Sequence, residues 1–430
     1  MAISVSSDNR TFQRNGKHFF YLADTCWSAF TNITLEEWEY YLELRRQQGF
    51  NVIQINALPQ WDASGTELNC YPFPTENKQK FHFTELKNEY FIHGAKMCEM
   101  AKAKGFELAL VVLWCNYVPD TWASEKVPDN IMPYDFLDGY IKKLHETFTG
   151  FDPIYVISGD TDFATERAKS YYKKASDMLK QLAPQCLQTF HIRGRLDSVP
   201  EEFLGNMDFY MYQSGHNAQP ENMSMPYTLA QTFYKNYPEK PILNSEPCYE
   251  QMGYSHRMYG RFYPYDIRRA GWMSLLSGGC AGIAYGAHGI YSWHRVGQRF
   301  GAGLGEGFDA PNSWNDAVKY PGAWDYGYMK YIFRIYGIQS LIPADIIANP
   351  SRDIRCAMTP EQEKYLIYVP NNTCVRLTMN PKDFEIVTID LMTRQVAYPE
   401  VGEKKGLHFI GMHRFEQDAL VILTKKKKEI

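Results

Sequence analysis

Two acidic residues that are far apart in the sequence each end an apolar, strand-like segment. Asp160 follows PIYVISG, and Glu246 follows PILNS. Retaining hydrolysis of a glycosidic bond needs one carboxyl group that protonates the leaving oxygen and a second that attacks the anomeric carbon. We therefore predict that Asp160 is the acid/base, with a raised pKa, and that Glu246 is the nucleophile. The structural alternative is that Asp160 only caps the helix that follows it.

Polar and aromatic side chains also stand near the ends of the other apolar segments. Burying such groups without partners would cost about 1–3 kcal/mol each, so we expect them to line a solvated cleft. Tryptophan offers a flat face to a sugar ring, although a single tryptophan is core as often as it is a binding surface. The predicted substrate-binding residues are Asp24, Trp27, Asn56, Trp114, His191, Tyr212, His288 and Trp293.

Eight apolar segments rich in Val, Ile and Tyr must position these side chains. Segments of helical pattern separate nearly all of them, and Thr34 with Glu37 predicts a capped start for the first long helix. This alternation predicts a (β/α)₈ TIM barrel, with the reacting groups at the carboxyl ends of the strands. A doubly wound open sheet would need a glycine-rich phosphate loop after the first strand, and LADTCWSAF has none. The predicted strands are residues 18–24, 51–56, 107–114, 153–160, 188–193, 207–213, 241–247 and 281–287.

The sequence pattern changes after about residue 340. Short strand-like segments such as KYLIYVP and ALVILTK follow one another, separated by turn residues such as Asn371 and Asn372. Closely spaced short strands are typical of an antiparallel β-sandwich. We predict a catalytic barrel over residues 1–340 and a small β-sandwich domain over residues 341–430, packed against each other.

Composition and charge exclude several classes of function. The 430 residues carry a formal net charge of −4, so no basic patch indicates a nucleic-acid partner. No apolar segment has the length of a membrane span, and the start lacks the pattern of a secretory signal. The nine cysteines form no CxxC pair, which is typical of reduced thiols. We expect a cytoplasmic protein that uses no cofactor and no metal, of unknown oligomeric state.

Four segments resemble the apiosidase-like glycoside hydrolases: NGKHFFYLADTCWSAF, YYLELRRQQGFNVIQIN, SGD and NSEPCYE. The resemblance implies a retaining TIM barrel that carries its acid/base on strand four and its nucleophile on strand seven, followed by a small β-sandwich. Carried over to this sequence, it assigns these roles to Asp160 and Glu246. Ser158 stands where the family motif has glycine, and Gly159 stands where many barrels of the wider clan have asparagine. The implied substrate is a short oligosaccharide or plant-type glycan.

Two other functions fit parts of the sequence. A catalytically silent barrel that only binds carbohydrate would keep the aromatic residues, although it would not need both acids. A metal-dependent barrel hydrolase would usually carry a His-x-His pattern at the end of its first strand, and ADTCW has none.

Overall fold

The structure is a computed structural model that describes residues 3–78, 80–255, 259–300 and 310–427. Eight parallel strands form one sheet. They are β1 Tyr21–Thr25, β2 Val52–Asn56, β3 Glu107–Trp114, β4 Ile154–Gly159, β5 Gln188–Thr189, β6 Tyr210–Tyr212, β7 Ile242–Asn244 and β8 Gly282–Tyr285. In this sheet β1 pairs with both β2 and β8, and β5 and β6 are the two end strands. A parallel bridge between His191, two residues after β5, and Met211 of β6 closes the sheet into a barrel. The predicted TIM barrel is therefore confirmed.

The helices connect the strands and pack on the outside of the barrel. The predicted first long helix begins after Thr34, whose hydroxyl accepts a hydrogen bond from the backbone of Glu37, while the Glu37 carboxylate accepts one from the backbone of Thr34. This capping box satisfies two backbone N–H groups at the start of the helix. The helices are α1 Ala29–Asn32, α2 Leu35–Gln47, α3 Asn88–Ala103, α4 Phe136–Phe148, α5 Glu166–Leu182, α6 Glu201–Leu204, α7 Met225–Asn236, α8 Pro264–Leu275, α9 Trp314–Ala317 and α10 Pro321–Ile335.

The first predicted strand divides into two parts. Lys17–Phe19 pairs with Phe12–Arg14 in a small antiparallel sheet that also contains Ser4–Val5, and only Tyr21–Thr25 enters the barrel. The hydrophobic pattern of the run HFFYLAD shows no interruption, because both parts of the run are largely buried. Hydrophobicity alone therefore did not reveal the break at Phe20.

Two antiparallel sheets follow the barrel. One contains Ile342–Pro343, Arg355–Met358, Lys364–Val369, Ala419–Lys425, Phe384–Asp390 and Val396–Ala397, and the other contains Val375–Leu377, Leu407–Ile410 and Val401–Lys404. Apolar side chains of the larger sheet, such as Leu366 and Ile422, belong to the same hydrophobic core as the barrel. At this contact the buried Arg268 of α8 pairs with Asp325 of α10 and with Asp418 of the C-terminal part. The two parts of the chain thus pack closely together.

No helix among the described residues combines the length and the apolar character needed to cross a bilayer.

Candidate active site

A cavity of about 190 Å³ opens where the strands of the barrel end at their carboxyl side. The loops after β2, β3, β4, β6, β7 and β8 all contribute residues to its wall. In TIM barrels this face carries the reacting groups. The lining residues are Trp27, Gln60, Trp61, Asp62, Trp114, Trp122, Asp160, Arg193, Gly194, Arg195, Gln213, Gly215, His216, Glu246, Tyr249, Met252, Ser255 and Tyr291.

Glu246 follows β7 by two residues and lies in this wall with only 8% of its surface exposed. Its backbone carbonyl accepts a hydrogen bond from Gly215, which holds it beside the end of β6. Its carboxylate lies between two imidazole rings. Nε2 of His216 is 2.8 Å from Oε1, and Nε2 of His191 is 3.4 Å from Oε2.

The backbone determines which nitrogen of each ring carries the proton. Nδ1 of His191 accepts from the backbone N–H of Asp160 at 3.2 Å, and Nδ1 of His216 accepts from that of Tyr249 at 3.3 Å. A neutral imidazole whose Nδ1 accepts must carry its proton on Nε2. Both rings therefore direct an N–H group toward the Glu246 carboxylate, even when neither ring is charged.

Asp160 lies in the turn that follows β4, with a left-handed backbone at φ = 57°. Gln213 donates a hydrogen bond of 2.9 Å to its carboxylate, and the indole N–H of Trp122 donates one of 3.0 Å to its backbone carbonyl. The helix α5 is capped instead by Thr165, whose hydroxyl accepts from Ala168. Asp160 is thus not the cap of α5, and the structural alternative for this residue is excluded.

The two acids have pKa values displaced in opposite directions. Burial, together with the negative charge of Glu246, raises the pKa of Asp160 to about 6. Burial alone would also raise the pKa of Glu246, but its contacts with His191 and His216 outweigh this and lower it to about 2. One carboxyl group can therefore hold a proton at a pH where the other is ionised. Such a separation is the arrangement that acid/base catalysis by two carboxyl groups requires.

A family model described as "Apiosidase-like, catalytic domain" matches residues 6–339 of this sequence. The chain belongs to the Apiosidase-like family. The resemblance found in the sequence is therefore confirmed, and the Apiosidase-like chain is a glycoside hydrolase by family. No curated protein matches it.

The Apiosidase-like chain is also similar to solved structures of glycoside hydrolases. One, named only as a glycoside hydrolase, is 21% identical, with a TM-score of 0.81 over 100% of this chain and 98% of that chain. Another, a glycoside hydrolase family 5 protein from Bacteroides vulgatus ATCC 8482, is 20% identical, with a TM-score of 0.80 over 99% of this chain and 93% of that chain. At these identities the likeness shows a shared fold.

Half of the predicted site residues meet at the cavity of this Apiosidase-like chain. Trp27, Trp114, Asp160 and Glu246 line it. His191 lies behind the wall, fully buried, where it contacts both acids.

The structure does not bring the other five to the cavity wall. Asn56 lies behind it and donates to Gln60. Asp24 binds Tyr41 and Arg45 of α2, and Tyr212 donates to the carbonyl of Pro226 in α7. Successive side chains of a strand alternate between the barrel interior and the surrounding helices, and these two face the helices.

Trp293 and His288 belong to the segment after β8 and also lie outside the wall. Trp293 is buried, stacks on Trp314 at 4.7 Å and donates its N–H to Glu37 of α2. His288 is buried, with its Nδ1 at 3.4 Å from the carbonyl of Gln251. Both residues thus support the segment instead of facing the cavity.

Several lining residues of the Apiosidase-like chain were not predicted, including Asp62, Trp61, Trp122, His216 and Tyr249. They lie in loops, four to eight residues beyond the ends of the barrel strands. His216, four residues after β6, is a polar residue near a strand end, and this signal could have identified it. Asp62 and Trp122 follow no sequence pattern, because the loops bring them to the cavity.

Gly159, where the wider clan often has asparagine, has a structural explanation. It ends β4 opposite Trp114 of β3. A Cβ atom at this position would lie only 2.2 Å from the Trp114 ring. Only glycine fits beside this tryptophan, which itself forms part of the cavity wall.

Proposed function

We propose that this protein is a retaining glycoside hydrolase that cleaves a glycosidic bond in a short oligosaccharide or plant-type glycan. The observation that carries the proposal is that Asp160 and Glu246 line one cavity at the carboxyl ends of β4 and β7. Burial and the charge of Glu246 raise the pKa of Asp160 to about 6, while the two histidines lower that of Glu246 to about 2, in keeping with these roles. Glu246 is the nucleophile, and Asp160 is the acid/base.

The first half of the reaction uses both acids in their stable forms. The Glu246 carboxylate attacks the anomeric carbon, the bond to the leaving oxygen breaks, and Asp160 transfers its proton to that oxygen. The product is a glycosyl ester of Glu246 and an ionised Asp160. The N–H groups from His191 and His216 keep Glu246 ionised and oriented until it attacks.

The second half reverses the roles. Asp160 takes a proton from water, the resulting nucleophile attacks the anomeric carbon, and the Glu246 carboxylate leaves. Because the ester of Glu246 has no charge, it no longer raises the pKa of Asp160. The pKa of Asp160 therefore falls when the intermediate forms, which favours the ionised form that the base requires.

Aromatic side chains provide surfaces for the sugar rings. Trp27 and Trp114 pack edge to face at 5.1 Å, and the Trp27 N–H donates to the Tyr249 hydroxyl. Flat rings with polar edges suit the C–H faces and hydroxyl groups of a sugar.

The test begins with a screen of aryl glycosides and short oligosaccharides against the wild type. Glu246→Gln should abolish turnover, and Asp160→Asn should slow it by roughly 10² to 10⁴-fold on substrates with poor leaving groups. The Asp160→Asn loss should shrink for activated leaving groups, and azide should restore release of the intermediate as a glycosyl azide. Glu221→Gln, an exposed acid outside the cavity, is the control and should behave like the wild type.

The stereochemistry of the first product, observed by NMR, separates the mechanisms. Retention of anomeric configuration supports the double displacement, while inversion would make Glu246 a base that activates water. Full activity of Glu246→Gln would remove it from both roles. Sugar binding in calorimetry without any product from the wild type would favour the catalytically silent barrel. Metal analysis with a chelator control tests the metal-dependent alternative.

A further inference from the structure

A third carboxyl group, that of Asp62, lies in the same cavity as Asp160 and Glu246. The reaction proposed above gives it no part. Asp62 belongs to the loop after β2, six residues beyond the end of that strand. Its side chain is half-buried. It therefore remains in contact with solvent, while the neighbouring residues restrict its position.

The loop that carries Asp62 is tightly fixed. The Tyr90 hydroxyl donates to the carbonyl of Ala57 at 2.9 Å, and the Tyr117 hydroxyl donates to that of Pro59 at 2.7 Å. Both tyrosines are buried. Tyr90 belongs to α3, in the outer layer of the barrel, and Tyr117 belongs to the loop after β3. Two anchors before Asp62 limit the positions that its backbone can adopt.

A chain of side-chain hydrogen bonds then orients the carboxyl group. Asn56, the last residue of β2, donates to Gln60 at 2.9 Å, and Gln60 donates to Asp62 at 2.8 Å. Asn56 and Gln60 are both buried. Within the described ranges, Gln60 is the one side chain that donates to this carboxyl group, which leaves hydrogen-bonding capacity for a ligand.

Aromatic side chains flank Asp62 in the cavity wall. Trp61 and Trp122 meet edge to face at 5.5 Å, and both line the cavity. Trp122 also donates to the backbone of Asp160, so this wall lies beside the acid/base. A carboxyl group beside indole rings is a common arrangement for binding a sugar, because the rings cover its C–H face while the carboxyl group meets its hydroxyls.

We propose that Asp62 hydrogen-bonds a hydroxyl group of the sugar unit at the scissile bond and thereby determines which sugars the enzyme accepts. This inference rests on the proposed function, since it places the substrate between Glu246 and Asp160. Asn56 and Gln60 act through Asp62 as positioning residues.

The role is hydrogen bonding and not proton transfer. Burial, with the negative charges of Glu246 and Asp160, raises the pKa of Asp62 to about 7. Asp62 is therefore largely protonated at mildly acidic pH, where one oxygen can donate and the other can accept. Asparagine has the same shape and also offers one donor side and one acceptor, so it can replace a hydrogen-bonding acid but not a proton donor.

The experiment uses a 4-nitrophenyl glycoside that the wild type hydrolyses and its set of monodeoxy analogues. Asp62→Ala should lower kcat/KM on the parent glycoside roughly 10- to 100-fold, and Asp62→Asn should recover most of that loss. On the one analogue that lacks the contacted hydroxyl, wild type and Asp62→Ala should have equal kcat/KM. The exposed Glu67→Gln, in the same loop but outside the cavity wall, is the matched control.

Three results would overturn the inference. Asp62→Ala could match the wild type on the parent glycoside, or its loss could be the same on every monodeoxy analogue. Asp62→Asn could also be as inactive as Asp62→Ala, with a loss that shrinks for better leaving groups, which would make Asp62 a proton donor. Glu246→Gln is assayed in parallel: its inactivity upholds the proposed function when Asp62 fails, and its activity would overturn both.

Discussion

At the scale of single residues, two histidines make two similar carboxyl groups behave differently. His191 contacts both acidic residues, since its Nδ1 accepts from the backbone N–H of Asp160 while its Nε2 lies near the Glu246 carboxylate. Glu246 thus receives N–H contacts that stabilise its charge. Asp160 lies beside that charge and receives a hydrogen bond from Gln213 alone among the described side chains.

These pKa values predict the dependence of kcat/KM on pH. Asp160, with its pKa raised to about 6, is protonated below that pH and loses its proton as the pH rises through it. Glu246, with its pKa lowered to about 2, is ionised above that pH. We therefore expect kcat/KM to be constant between about pH 2 and pH 6, and to fall about tenfold per pH unit above 6. Asp160→Asn should remove this decline, and a decline that persists would assign it to another group.

Replacing His216 should affect the opposite limb. His216→Ala removes the 2.8 Å contact between His216 and Oε1 of Glu246. The loss of this contact favours the protonated form of the Glu246 carboxyl group. We expect the acidic limb of kcat/KM to move to higher pH while the limb assigned to Asp160 remains. An unchanged acidic limb, with lower activity at every pH, would indicate that His216 only supports the fold.

At the scale of elements, the pairing of β3 with β4 places an indole ring against a glycine. Gly159→Ala would put a methyl group 2.2 Å from the Trp114 ring, so the tryptophan or the strand must move. We expect a loss of about 1–3 kcal/mol in the free energy of unfolding, together with lower activity, because Trp114 lines the cavity. Gly150→Ala is the control, since nothing lies within 4 Å of the added methyl group. Equal denaturation midpoints for the two variants would contradict the prediction.

At the scale of the whole molecule, a buried ion pair joins the barrel to the C-terminal sheets. Arg268 donates to Asp418 at 2.8 Å and to Asp325 at 3.0 Å, and Tyr368 also donates to Asp418. Arg268→Ala would leave the Asp418 carboxylate buried without its cation, while Asp325 would keep its contact with Arg394. We expect it to lower the free energy of unfolding by about 3–5 kcal/mol in chemical denaturation.

An exposed ion pair provides the comparison for this effect. Lys173 and Asp177 lie 3.0 Å apart on the surface of α5. Lys173→Ala should cost less than about 1 kcal/mol, because water screens the pair and solvates the remaining carboxylate. Similar losses for Arg268→Ala and Lys173→Ala would show that the contact between the two parts contributes little to stability.

The sequence by itself determined the barrel, the capped start of α2, the family and the two acids at the ends of β4 and β7. These features depend on local patterns: apolar strand segments, a capping box and polar residues after a strand. Only the tertiary structure decided that Asp24 and Tyr212 face the helices, because this depends on the register in which the strands close the barrel. It also brought Asp62 and His216 to the cavity, since contacts between distant segments position their loops. The pKa values of Asp160 and Glu246 follow for the same reason, because burial and neighbouring charges arise only when distant segments meet.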